Sequence, residues 1–138
     1  MNPATVESWH GAPPTLILCG EEASADGAKL VAQQMHAQGV KARWRQYEGL
    51  PHVFMALMAG LEHSKMAMRE WAGFCKEVVE EVEAFRGGGE VVGVRDLSRE
   101  KVDVEKLTRL GREEAVGLMR AGRDEQGVVR REEAKAKM

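Results

Sequence analysis

The 138 residues contain only two cysteines, four prolines and seven aromatic side chains, and neither sign of charge is in clear excess. Two cysteines define no disulfide framework. Cys19 and Cys75 each sit in an apolar stretch, where a small buried thiol is the expected reading. Twenty Lys and Arg against 22 Asp and Glu leave a net charge of -2, so no basic field exists to hold a phosphate backbone, and nucleic acid is excluded as a partner. No apolar run approaches the roughly 18 residues of a membrane span. The opening MNPATVESWHGAPP lacks a basic segment leading into an apolar one. The chain is therefore expected to be soluble and cytoplasmic, without a membrane span.

The aromatic residues are also unevenly placed. All seven lie at or before Phe85, and the last 53 residues have none. Residues 87–138 carry 23 charged side chains in 52 positions, against 19 in the preceding 86. With 43% hydrophobic residues in the chain as a whole, this contrast predicts a globular part over 1–86 and a charged, partly helical extension over 87–138.

Within the first part, Pro13-Pro14 precedes TLILCG, a short continuous apolar run that fits a strand buried on both faces of a parallel sheet. Apolar residues at helical spacing, with Gly39 as a stop, predict a helix from about Asp26 to Gln38. ARWRQY at 42–47 predicts a second strand. Strand, helix and strand make one βαβ unit with parallel strands. From about Glu62 to Phe85, apolar residues recur every three or four positions and acidic and basic residues take the other faces, which predicts a long amphipathic helix. Gly87-Gly88-Gly89 reads as its stop and a linker. A second helix is expected from Arg112 to Arg120, and REEAKAKM as a frayed helical tail. Two parallel strands make no stable sheet, and VVGV at 91–94 is the sole further strand candidate, so the apolar faces of TLILC and of the long helix await other elements.

The stretch from Pro13 to Met55 combines a strand, the loop Gly20-Glu21-Glu22-Ala23-Ser24-Ala25-Asp26, a helix, a strand, and the turn Gly49-Leu50-Pro51 leading to His52-Val53-Phe54. This succession resembles the C-terminal segment of the α/β-hydrolase fold, in the hormone-sensitive-lipase-like esterase family (fold-3), over roughly residues 13–86. The tail VDVEKLTRLGREEAVGLMR is similar to an extension of fungal members. The resemblance implies an α/β fold, here its C-terminal part, and hydrolysis of a carboxylic ester through an acyl-serine intermediate. It puts Glu22 on the family's catalytic acid, with Asp26 as an alternative acid, and His52 on its catalytic histidine. Loops at the carboxyl ends of adjacent parallel strands share one sheet edge, where open α/β folds build their sites. A carboxylate there holds one imidazole nitrogen while the other takes the proton of an attacking serine.

Each residue also has a plainer reading. Glu22 could be a solvated loop carboxylate, His52 a loop histidine, and Asp26 a partner of the helix dipole. His10, His36 and His63 show no metal-ligand spacing, so neither metal nor cofactor is expected.

What the family's pattern requires and this sequence lacks is a nucleophile. None of Ser8, Ser24, Ser64 and Ser98 stands in Gly-x-Ser-x-Gly, and the Gly87–Gly89 run follows a helix instead of preceding one, so it reads neither as an oxyanion loop nor as a phosphate cradle. Loss of the nucleophile from such a triad costs on the order of a millionfold in turnover. The leading expectation is part of an ester hydrolase, inactive alone, whose small-molecule ester substrate would be met only once the missing N-terminal part is supplied. The alternative is a non-catalytic binding or assembly module that forms an oligomer or holds a partner through exposed apolar faces. An independent hydrolase using Ser64 or Cys75 ranks third.

Overall fold

The computed structural model describes residues 3–22, 25–118 and 121. After a 3-10 turn at Pro3–Thr5, the βαβ unit is present as β1 (Thr15–Gly20), α1 (Ala25–Ala37) and β2 (Ala42–Tyr47). The strands are parallel, in register from Thr15 opposite Ala42 to Gly20 opposite Tyr47. Gly39, at φ +76°, ends α1 by turning the chain so that the Val40 N–H returns to the Met35 carbonyl at 2.9 Å. A short α2 (Phe54–Leu57) leads into the long α3 (Glu62–Glu80).

The sheet then continues through the boundary expected at residue 86. β3 (Gly88–Val92) pairs in parallel with β2, and β4 (Arg99–Val102) pairs antiparallel with β3, giving the order β1-β2-β3-β4. The triple glycine is therefore not a linker, and glycine is what lets β3 approach its neighbours. A β-carbon on Gly87 would stand 2.6 Å from the Ala42 carbonyl oxygen, and one on Gly89 would stand 2.8 Å from that of Val102. Residues 112–118 are helical, while the rest of the helix expected to Arg120 and the tail REEAKAKM lie outside the described residues.

β2 separates two cores because its side chains alternate between the two faces of the sheet. Trp44 packs under α1 with Cys19, Ala25 and Ala32, joined by Val104. On the other face, Tyr47 packs with Leu50, Phe54, Ala67 and Val92 beneath α2 and α3. β1 is thus an edge strand, contrary to the expectation of a strand buried on both faces. Only Cys19 and Gly20 of β1 are buried. Leu16 and Leu18 instead line an open apolar depression of about 260 Å³ with Met55, Trp71 and Phe74.

α3 also departs from expectation. It stops at Glu80, so Val82 and Phe85 lie beyond it, and Trp71 (51% exposed) faces outward. Part of what turns toward the sheet is charged. β2 presents Arg43, Arg45 and the Tyr47 hydroxyl on that face, and carboxylates must answer them. Glu77 takes the Arg43 guanidinium through two hydrogen bonds of 3.0 and 3.1 Å. Glu70 accepts from Tyr47 Oη at 2.7 Å and from Arg45 Nε at 3.3 Å. Arg45 and Arg99 both also pair with Glu90 of β3, and Arg99 reaches Glu70 at 2.8 Å, so the charges join α3, β2, β3 and β4. Phe85 is fully buried below the helix end, edge-on to Phe74 and under the Arg43 guanidinium at 4.5 Å. Cys75, expected to be buried, is exposed on α3.

Candidate functional site

Both candidate loops leave the sheet at the carboxyl ends of β1 and β2. Their closeness depends on Gly20. A β-carbon there would fall 2.1 Å from the Leu50 carbonyl oxygen and 2.6 Å from that of Pro51, so only glycine lets the acid loop and the histidine loop touch. Gly49, at φ +62°, makes the turn after β2. Its N–H donates to Glu21 Oε2 at 3.0 Å, a direct tie between the two loops.

The histidine loop is held from three further directions. Phe54, two residues beyond His52, is fully buried against the Tyr47 ring at 4.9 Å, and its carbonyl accepts the buried Ser64 hydroxyl at 3.2 Å. The Glu48 N–H donates to Val92 O at 3.0 Å. His63 Nε2 lies 3.1 Å from Gly93 O and its ring meets Tyr47 edge-on, so α3 is pinned to the turn between β3 and β4 beside the same loop.

Within this frame His52 Nδ1 lies 3.5 Å from Glu22 Oε1. Glu22 is 34% exposed and His52 60%, so the pair stands at the surface of the sheet edge. Asp26 sits in the first turn of α1, where a carboxylate suits the helix dipole, and its partner is Lys29 at 3.5 Å. Ala23 and Ser24, between the acid and the helix, lie outside the described residues. Sequence reasoning singled out Glu22 of the two adjacent acids and passed over Glu21. The only available signal was the Glu-Glu doublet itself, since which carboxylate meets the histidine and which meets the backbone depends on how the two loops cross.

Among the described residues no three His, Cys, Asp or Glu side chains are grouped so as to hold a metal ion, and no helix is long and apolar enough to cross a membrane. Ser64 is spoken for as a buried donor to Phe54 O. Burial pushes the Cys19 thiol up to about 12, with Lys29 pulling the other way.

No curated protein and no solved structure matches the chain. A family model does match over residues 1–56, that of an alpha/beta hydrolase fold. The matched span holds β1, α1, β2, the acid loop and His52. The match supports a fragment of the α/β-hydrolase fold-3 family over residues 1–56.

Proposed function

We propose that this chain carries the acid and base of a carboxylic ester hydrolase, with Glu22 orienting His52 and the nucleophilic serine supplied by sequence outside these 138 residues. The observation that carries the reading is the 3.5 Å approach of Glu22 Oε1 to His52 Nδ1, made by two loops at one sheet edge. In the reaction the carboxylate holds the Nδ1–H and stabilises the imidazolium, while Nε2 removes the serine proton during attack on the ester carbonyl. The same imidazolium then returns the proton to the leaving alcohol, and a second cycle with water releases the acid. The chain alone should be inert because this sequence contains no Gly-x-Ser-x-Gly element.

Transcript sequence upstream of Met1 supplies the test. An open frame encoding Gly-x-Ser-x-Gly, expressed in continuity with this chain, should hydrolyse a short p-nitrophenyl ester. His52→Ala should lower its kcat by about 10⁴-fold or more, and Glu22→Ala by a smaller but still large factor. Hydrolysis that survives His52→Ala unchanged would sink the proposal.

A second reading, a binding or assembly module descended from the hydrolase, is favoured by one observation. The depression formed by Leu16, Leu18, Met55, Trp71 and Phe74 is apolar and open. On this reading the purified chain runs as a discrete oligomer on sizing chromatography and Trp71→Glu converts it to a monomer. A monomeric, cooperatively folded wild-type chain would exclude it.

A further inference from the structure

The face of the sheet that α3 covers only in part holds a second depression, remote in sequence from the acid–histidine pair. Its volume is about 430 Å³, and Arg43, Arg45, Arg86, Lys101, Glu90 and the triple glycine form its walls. Its charges do not balance. Arg43, Arg45 and Arg99 are matched by Glu77, Glu70 and Glu90 in the ion pairs that join α3 to the sheet, three cations to three anions. Arg86 and Lys101 remain. The Arg86 guanidinium donates to backbone carbonyls, those of Glu83 and Phe85, and the Lys101 ammonium makes no hydrogen bond or ion pair among the described residues. Two positive charges thus face a space bordered by an already neutral network.

The space exists because of Gly88. This residue stands opposite Arg43 in the β2–β3 register and on the same side of β3 as Glu90, and a β-carbon added to it would meet nothing within 4 Å. Its φ of +142° also disfavours any other residue. We propose that this depression binds a dianionic phosphate group between Arg86 and Lys101. A guanidinium offers two parallel N–H donors to phosphate oxygens, an ammonium supplies a point charge, and a charge of -2 neutralises the excess. The site differs from a helix-start phosphate cradle in that side-chain cations, and not a helix N-terminus, supply the field. It is independent of the hydrolase reading.

The test is a titration of the isotope-labelled full chain with sodium phosphate near neutral pH, at constant ionic strength, followed through backbone amide shifts. Gly88, Gly89 and Lys101 should shift saturably. Arg86→Gln and Lys101→Gln, both at exposed positions, should each weaken binding by about tenfold, the loss expected for one charged hydrogen-bonding partner, with amide spectra otherwise like the wild type. Lys76→Gln, at an exposed residue of α3, should leave it unchanged. Methyl phosphate binding as well as inorganic phosphate supports a phosphate monoester as the natural ligand, and binding of inorganic phosphate alone supports the free ion. Shifts that never saturate, shifts that persist in the Arg86→Gln/Lys101→Gln double variant, or equal binding of succinate would overturn the proposal.

Discussion

Gly20 shows how far one residue governs the site. Any side chain there must displace the backbone at Leu50 and Pro51, because the nearest atom is a carbonyl oxygen at 2.1 Å and not the end of a flexible side chain. Gly20→Ala is expected to destabilise the chain by about 2 kcal/mol or more, at the upper end of overpacking effects, as read from urea denaturation. Cys19 and Cys75 provide a second expectation at this scale. Cys75 is exposed, whereas Cys19 is buried with its thiol pushed from 9.0 up to about 12. Iodoacetamide near pH 8 should alkylate Cys75 alone, and Cys19 only after denaturation, as judged by peptide mass.

The same burial makes stability depend on pH. Tyr47 is also raised above its ordinary value of 10.0, first by burial and then by its hydrogen bond to Glu70. Both groups keep their protons longer in the folded chain than in the unfolded one. Their contribution is complete below pH 9.0 and is lost as pH rises from there toward the folded value of about 12 for Cys19. Stability read from urea denaturation should fall by on the order of 1 kcal/mol per pH unit above pH 9.0 through Cys19, and more steeply above pH 10.0, where the Tyr47 contribution is lost as well. Cys19→Ala should delay the onset of that fall to the range in which Tyr47 ionises.

Among elements, α3 is the one whose packing contradicts its pattern. Its three-and-four spacing of apolar residues is real, yet Trp71 and Cys75 face outward while Glu70 and Glu77 turn to the sheet. Arg43 and Arg45, two residues apart on β2, set this requirement, and Glu70 and Glu77, two helical turns apart, meet it. Removing Glu70 leaves Glu90 alone to answer both the buried Arg45 and Arg99, and takes the acceptor from the Tyr47 hydroxyl. Glu70→Ala should cost about 2 to 3 kcal/mol in urea unfolding, somewhat below the loss for a fully buried pair. The double change Glu70→Leu/Arg45→Met should cost less than Glu70→Ala, since neither charge is then stranded. β1 shows the reverse case, an apolar run that reads as doubly buried but stands at the edge with Leu16 and Leu18 half-covered.

At the scale of the whole molecule, the sheet has a topological peculiarity. From β1 to β2 and from β2 to β3 the parallel strands step the same way across the sheet, yet α1 and α3 lie on opposite faces. The two crossovers must therefore have opposite hands, and only one can be the usual right-handed form. The unusual arrangement is held by the charges between α3 and β2, β3 and β4, and by Val92 and Val104, one in each core. A chain ended after Arg86 should lose cooperative unfolding, seen as a broad, low thermal transition by circular dichroism. A sharp transition at the wild-type temperature would show that β3 and β4 are dispensable.

Local pattern was enough for the βαβ unit, the α-helical span after residue 61, the placing of an acid loop after one strand and a histidine loop after the next, and the lack of a Gly-x-Ser-x-Gly serine. These follow from spacing, turn residues and strand order, which act over a few neighbours along the chain. Long-range assembly settled the rest. β3 was legible only at Val91 and Val92, the start of the VVGV candidate, because glycine and glutamate are poor strand formers, and Gly88 and Gly89 join the sheet only where Arg43, Trp44 and Val102 already offer backbone partners. The inward turn of Glu70 was illegible because a carboxylate reads as solvated until an arginine on another strand stands beneath it. That Glu21 takes the Gly49 N–H depended on two loops crossing at Gly20, an approach between distant residues that no local spacing encodes.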